Sequence, residues 1–179
     1  MATTTHLPDE TFVPAPAGTR VRVMTGIVIM VFVVLVAIQA VVAPRRSTTD
    51  TWISVCAPLV GVPIVAVVWW FSRVRAYRIA GGELVVVRPG FPVRFSLEGL
   101  QSIEPDPDPM AGARKRRGND GLGAVSGTYR SRKLGDFRAY VTDRERGVVL
   151  RAAAGTLVIS PAQPAIFIDA VRRRTRGDL

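Results

Sequence analysis

The sequence predicts a two-helix transmembrane hairpin followed by a mainly-β domain, a bent antiparallel sheet or partly open barrel with a C-terminal capping helix. Three observations predict it. Two charge-free apolar runs, 23–43 and 51–72, each hold about 20 residues, enough at 1.5 Å per residue to cross a hydrocarbon core of about 30 Å. After Ser72 the dominant hydrophobic period is two, and near the C-terminus it returns to a helical period. The chain thus divides into a disordered N-terminal tail (1–20), two transmembrane helices within 21–72, and a β-rich domain (73–179) with a long loop at 104–135.

In chain order, the tail is rich in Thr and Pro, poor in apolar residues and holds the lone His6. Arg20 and Arg22 bound the first run, Arg45, Arg46 and Asp50 fill the gap, and Arg73 and Arg75 close the second. Charges belong at such edges because an ionised side chain at mid-bilayer costs roughly 2.5–3.5 kcal/mol. Pro58, Gly61 and Pro63 favour a kink in the second helix, and Trp52, Trp69 and Trp70 stand at its ends, where amphipathic rings prefer to sit. A cleaved leader ending at Val41-Val42-Ala43 is disfavoured by Pro44, by the length of the run and by the second span. Two buried core helices are disfavoured because the remaining apolar residues are committed to strands. The short gap dictates an antiparallel hairpin with both chain ends on one side. Arg20, Arg22, Arg73, Arg75 and Arg78 outnumber Arg45 and Arg46, so both termini are expected in the cytoplasm of a multi-pass membrane protein.

The 179 residues carry a net charge of +10, and the segment after Ser72 carries most of it. Such a charge is drawn to anionic lipid, although the Arg-, Ala-, Val-, Gly- and Pro-rich composition is also what GC-rich coding produces. Cys56 is the single cysteine and lies in the second span, where it reads as a packing residue. One His and no Cys pair leave almost no material for zinc or histidine chemistry, and no cofactor is expected.

In the β-rich part, Tyr77 and Ile79 flank Arg78, and Gly81-Gly82 supplies a hairpin turn before the strand 84–88. Phe91, Val93, Phe95 and Leu97 alternate with polar residues, a half-buried strand. The segments 137–142, 147–152 and 156–159 read as a second meander, six strands in all. Ser160-Pro161-Ala162-Gln163 has a helix-start spacing, with Ser at the cap and Pro in the first turn. Pro164, Phe167, Ile168 and Val171 then mark one apolar face, and Arg172, Arg173 and Arg174 suit the C-terminal end of the dipole.

Between the meanders, the stretch 104–135 opens acidic and proline-rich, turns basic at Arg114-Lys115-Arg116-Arg117, and continues through Gly118-Asn119-Asp120-Gly121-Leu122-Gly123 to Arg130, Arg132 and Lys133. A connection of this length is functional or disordered. Glycines beside cations can form an amide nest for phosphate, but this spacing fits neither a dinucleotide fingerprint nor a P-loop. Turns needing positive φ are the stronger reading.

The residues Gly118 to Gly123, Gly127-x-Tyr129, Leu134-Gly135-x-Phe137-Arg138-x-Tyr140-Val141-Thr142 and Val158-Ile159-Ser160-Pro161-x-x-Pro164-x-x-Phe167 resemble a bacterial pleckstrin-homology-like (PH) domain family. Tyr77-Arg78-Ile79 through Phe91 to Ile103 also fits its pattern. The resemblance implies a bent seven-strand sheet capped by a C-terminal helix, with 122–129 supplying the strand beyond the six above, and a tether of one or two helices in the bacterial plasma membrane. It implies no ligand and carries over no catalytic residues. The expectation is therefore a non-enzymatic membrane protein presenting this domain to a protein partner. The alternative is an anionic headgroup-binding module using Arg114, Lys115, Arg116, Arg117, Arg130, Arg132 and Lys133. An enzyme working through Asp120 with Asp136 or Asp143 is disfavoured, since nothing in sequence brings these together. Nucleic acid is disfavoured because no aromatic platform interleaves the basic clusters.

Overall fold

The computed structural model describes residues 9–42 and 48–177, with 39, 40, 42, 48–59, 176 and 177 as backbone alone. His6, Arg45 and Arg46 lie outside the described residues, as do the side chains of Asp50, Trp52 and Cys56. The chain runs β1 (Glu10–Phe12), α1 (Thr19–Val42), α2 (Thr48–Ser72), β2 (Ala76–Ala80), β3 (Glu83–Val87), β4 (Val93–Ser96) and β5 (Ser102–Asp106). It continues through β6 (Arg114–Asp120), β7 (Val125–Ser131), β8 (Gly135–Val141), β9 (Gly147–Ala152), β10 (Gly155–Ile159) and α3 (Pro164–Gly177). Among the described residues, α1 is long and apolar enough over Thr19–Ile38 to cross a membrane. The stretch of α2 with described side chains, Val60–Ser72, is apolar but shorter.

Two sheets form. The first has the order β1-β2-β3-β4, the second β5-β9-β10-β8-β7-β6. In the first, Gly81 and Gly82 take positive φ and turn β2 into β3, as the sequence predicts. The first strand corrects the expectation of a disordered tail over 1–20 for the described part of that tail, 9–20. Residues 10–12 pair antiparallel with β2, Ala15 N–H donates to Ser160 O and Gly18 N–H to Thr142 O. Phe12 meets the Phe167 ring edge-on at 5.1 Å. A few backbone bonds and one aromatic contact order a segment whose composition alone would not.

The second sheet corrects the antiparallel meander. The strand β10 runs parallel to β8 and antiparallel to β9, so it lies between them. The long loop at 104–135 is also corrected, because β5, β6 and β7 occupy most of it. The β5–β6 connection crosses one face of the sheet and inserts Met110 into a cluster with Val21, Val125, Tyr129, Phe137, Val141 and Val158. The opposite face joins the first sheet and α3 in the main core, which includes Tyr77, Leu84, Phe95, Leu150, Leu157 and Ile159.

The helix α3 starts at Pro164, four residues after the expected cap. Pro164 suits a first helical position, where its missing N–H is no loss. Ser160 is instead fully buried, where its hydroxyl accepts from Thr142 N–H at 2.8 Å. Phe167, Ile168 and Val171 face the core as predicted. Phe91 does not join the expected alternation: it is 85% exposed, next to Gly90, which lies against the Phe71 ring of α2.

Candidate functional site

The hairpin β6–β7 is set by its glycines and Asn119. Gly118 and Gly127 oppose each other at φ of +125° and +135°, and a Cβ on either would come within 2.1 Å of a carbonyl oxygen on the other strand. Only glycine permits this approach. Asn119 ties the turn by donating to the carbonyls of Leu122 and Ala124 and accepting from Leu122 N–H. Tyr129 O–H donates to Asn119 O at 2.9 Å from the buried face. Burial, then the neighbouring Asp120 carboxylate, push the Tyr129 hydroxyl up to about 12, against the pull of Arg144 and Arg20. The glycine-rich run thus serves turn and close-approach geometry.

Register then builds a basic surface. Residues directly opposite in adjacent strands share a face. One row is Arg114–Arg130–Asp136 and the next is Arg117–Thr128–Arg138. All four arginines are exposed. Asp136 is the carboxylate within reach, 3.7 Å from Arg116 and 3.9 Å from Arg130. These exposed pairs are worth at most about 1 kcal/mol and leave the guanidinium donors available. Further along the same face the sheet becomes aromatic and apolar through Tyr140, Leu157 and Ile159. The strand β6 ends the sheet, and its outer edge carries charged side chains and a bulge between Lys115 and Arg117.

The seven predicted residues are therefore divided. Arg114, Arg117 and Arg130 lie in the two rows, and Arg116 sits at the bulge and reaches Asp136. Lys115 is opposite Tyr129, on the other side of the sheet. Arg132 and Lys133 are on the β7–β8 turn, where Lys133 is paired with Asp106. Arg138 was missed as a site residue; its alternation with Phe137 and Ala139 marks it as outward-facing, but only the register brings it beside Arg117.

The tip of the hairpin meets the helices. Thr25 Oγ1 donates to Gly121 O at 3.2 Å, Gly121 lies against Met24, and Gly123 lies against Trp69 and Arg73. Arg73 and Arg75 stack on Trp69 and Trp70, 4.7 and 4.8 Å from the ring centroids.

The carboxylates considered for catalysis each have a structural partner. Asp120 pairs with Arg144, Asp136 with Arg116 and Arg130, and Asp143 accepts from Glu145 N–H in a 3-10 turn. Among the described residues no group of three or more His, Cys, Asp or Glu side chains would hold a metal ion.

The chain after α2 is a small β domain with a C-terminal helix packed into its core and a surface of charged strands. The family model described as Bacterial PH domain matches residues 75–175, more than half of the chain, and the chain belongs to that family. Neither the curated proteins nor the solved structures contain a match. Membership points to binding or interaction and gives no support to enzyme activity.

Proposed function

We propose that this is a non-enzymatic, two-pass membrane protein with both termini in the cytoplasm, whose PH domain binds an acidic segment of a protein partner. The pairing of β1 with β2 supports the topology. One strand precedes α1 and the other follows α2, so both lie on the same side, and if α1 crosses the bilayer α2 must cross back. Apolar side chains exposed along α1 and the described part of α2 suit a lipid environment, and Trp69 and Trp70 with their arginines suit its edge. The excess of arginine near the domain-side ends of the spans supports the orientation.

The observation that carries the binding reading is the pair of rows holding Arg114, Arg117, Arg130 and Arg138, with Asp136 as their one acidic member. At about 3.4 Å per residue, Arg114 and Arg130 lie on the order of 20 Å along the hairpin from the tip that touches the helices. Electrostatic attraction decays over about 8–10 Å at physiological salt. If the hairpin stands away from the bilayer, this separation favours a protein partner over the headgroup reading for Arg114 and Arg130.

Photocrosslinkers at Thr128 and Asp136, in cells, test the proposal. A discrete protein adduct that is lost when the four arginines become glutamine is the expected result. Adducts only with lipid, together with salt-dependent binding to anionic vesicles through the same arginines, would replace it with the headgroup reading. Release of the intact chain by alkaline carbonate would refute the membrane topology.

A further inference from the structure

We propose that the cleft between α1 and α2 is a binding site for one anionic phospholipid, with an acyl chain between the helices and the headgroup at the hairpin tip. This rests on the reading that both helices lie in the membrane. The cleft has a volume of about 500 Å³ and is lined by Ile29, Phe32, Val36, Val65 and Ala66, with Leu122 of the β6–β7 tip at one end. That volume is within the roughly 300–1,000 Å³ of small-ligand sites. Phe32 lies against Gly61, so the two helices touch directly beside it.

The occupant follows from what adjoins the cleft. A second hollow, about 560 Å³, shares Thr25, Ile29 and Trp69 with it and is lined also by Arg22, Arg73 and Thr142. Among the described residues, no Asp or Glu lines either hollow. An apolar slot opening onto a two-arginine vestibule is complementary to a molecule with a hydrocarbon tail and an anionic head. A second copy fits less well, because its helices carry no acidic side chain over 19–42 or 60–72 and so offer both arginines no counter-charge.

Arg22 donates through Nε to Ala17 O at 2.9 Å, and Arg73 is held over Trp69, so both cations are positioned with other donors still available. Leu122 at the cleft also makes lipid a structural neighbour of the hairpin that carries the basic face.

Full-length protein delipidated in mild detergent, then given dioleoyl-phosphatidylglycerol or dioleoyl-phosphatidylcholine, tests this by native mass spectrometry. One phosphatidylglycerol per chain is expected, retained roughly 30-fold over phosphatidylcholine, since a basic contact near the surface contributes about fivefold and two arginines take part. Filling the slot with Ala66→Phe or Val36→Phe removes retention of both lipids. Arg22→Gln with Arg73→Gln removes only the headgroup preference, and carries the test if the filled variants fail to fold. Arg94→Gln, on the other sheet, changes neither. Failure of the wild type to retain lipid, retention unaltered by the filled or charge-removed variants, or a dimer in place of a lipid adduct would each overturn the inference. A chain that resists carbonate extraction yet binds no lipid loses only this site; a chain released by carbonate loses the membrane reading as well.

Discussion

The tip of the β6–β7 hairpin rests on Met24, Thr25 and Trp69, whereas its open end holds Arg114 opposite Arg130 in solvent. Both ends belong to the same pair of seven-residue strands, yet one is glycine and leucine fitted to helices and the other is arginine with Asp136 as its counter-charge. The tip gains from close packing and shape, and so tolerates little change. The open end gains from long-range charge, which is individually weak and geometrically forgiving. One element thus carries an attachment to the helices and, on the proposed function, the recognition surface, and changes at its middle should affect both.

Gly118→Val is the harshest test of that linkage. Its Cβ would be placed 2.1 Å from Ser126 O at a φ of +125°, so the strands must separate. A cost of roughly 3–5 kcal/mol is expected from the overpacking and backbone strain together. In a chain of this size that lowers Tm by about 10 °C, and thermal unfolding in detergent measures it. An unshifted Tm would mean that the hairpin is not a rigid connection between its two ends.

Alkaline pH should loosen the core. Burial pushes the Tyr77 hydroxyl up to about 12, partly offset by its hydrogen bonds with Ser160, and Tyr129 is raised likewise. Below pH 10 both folded and unfolded states hold these protons; between about 10 and 12 only the folded state does. Stability is therefore lost as pH rises through that window, by on the order of 2–3 kcal/mol for Tyr77. Tyr77→Phe removes its share of the slope. It also costs about 1–3 kcal/mol at neutral pH, because Tyr140 O and Ser160 N–H each lose a buried partner. Chemical denaturation at pH 7 and pH 11 separates the two effects, and equal pH slopes in wild type and variant would contradict this assignment.

How much of this was legible in sequence follows the same contrast. Alternation with Gly81-Gly82 revealed β2 and β3, and the spacing of Phe167, Ile168 and Val171 revealed the buried face of α3, because one side of each is in the core. The strand β6 has five exposed residues in succession and no alternation to read, so Arg114-Lys115-Arg116-Arg117 looked like a loop. The placement of β10 beside β8 depends on a parallel, non-local pairing that no local pattern encodes. The basic residues were visible as a composition, but their division between two faces and a turn was set by register and by the bulge.

At the tip, Leu122→Ala should be milder than the glycine change. Leu122 is half-buried at the cleft, and shortening it removes about 1 kcal/mol of apolar contact. A Tm fall of a few degrees with the partner adduct unchanged would show that the tip supports the hairpin without directly forming the recognition face. Loss of the adduct at intact stability would join the two ends into one site.

The smallest effect distinguishes recognition by register from recognition by bulk charge. Arg138 shares a row with Arg117 through Thr128, whereas Arg132 lies on the β7–β8 turn outside both rows. Each substitution to Gln removes one positive charge from the same domain, so a diffuse field would respond about equally to the two. A partner lying across the rows responds to Arg138 alone. Its loss should weaken binding about fivefold, in keeping with about 1 kcal/mol for an exposed ion pair, and reduce the salt dependence. Arg132→Gln should leave affinity within twofold. Titrating the purified full-length variants with the crosslinked partner at two salt concentrations measures both, and equal losses would reduce the basic face to an unspecific attractor.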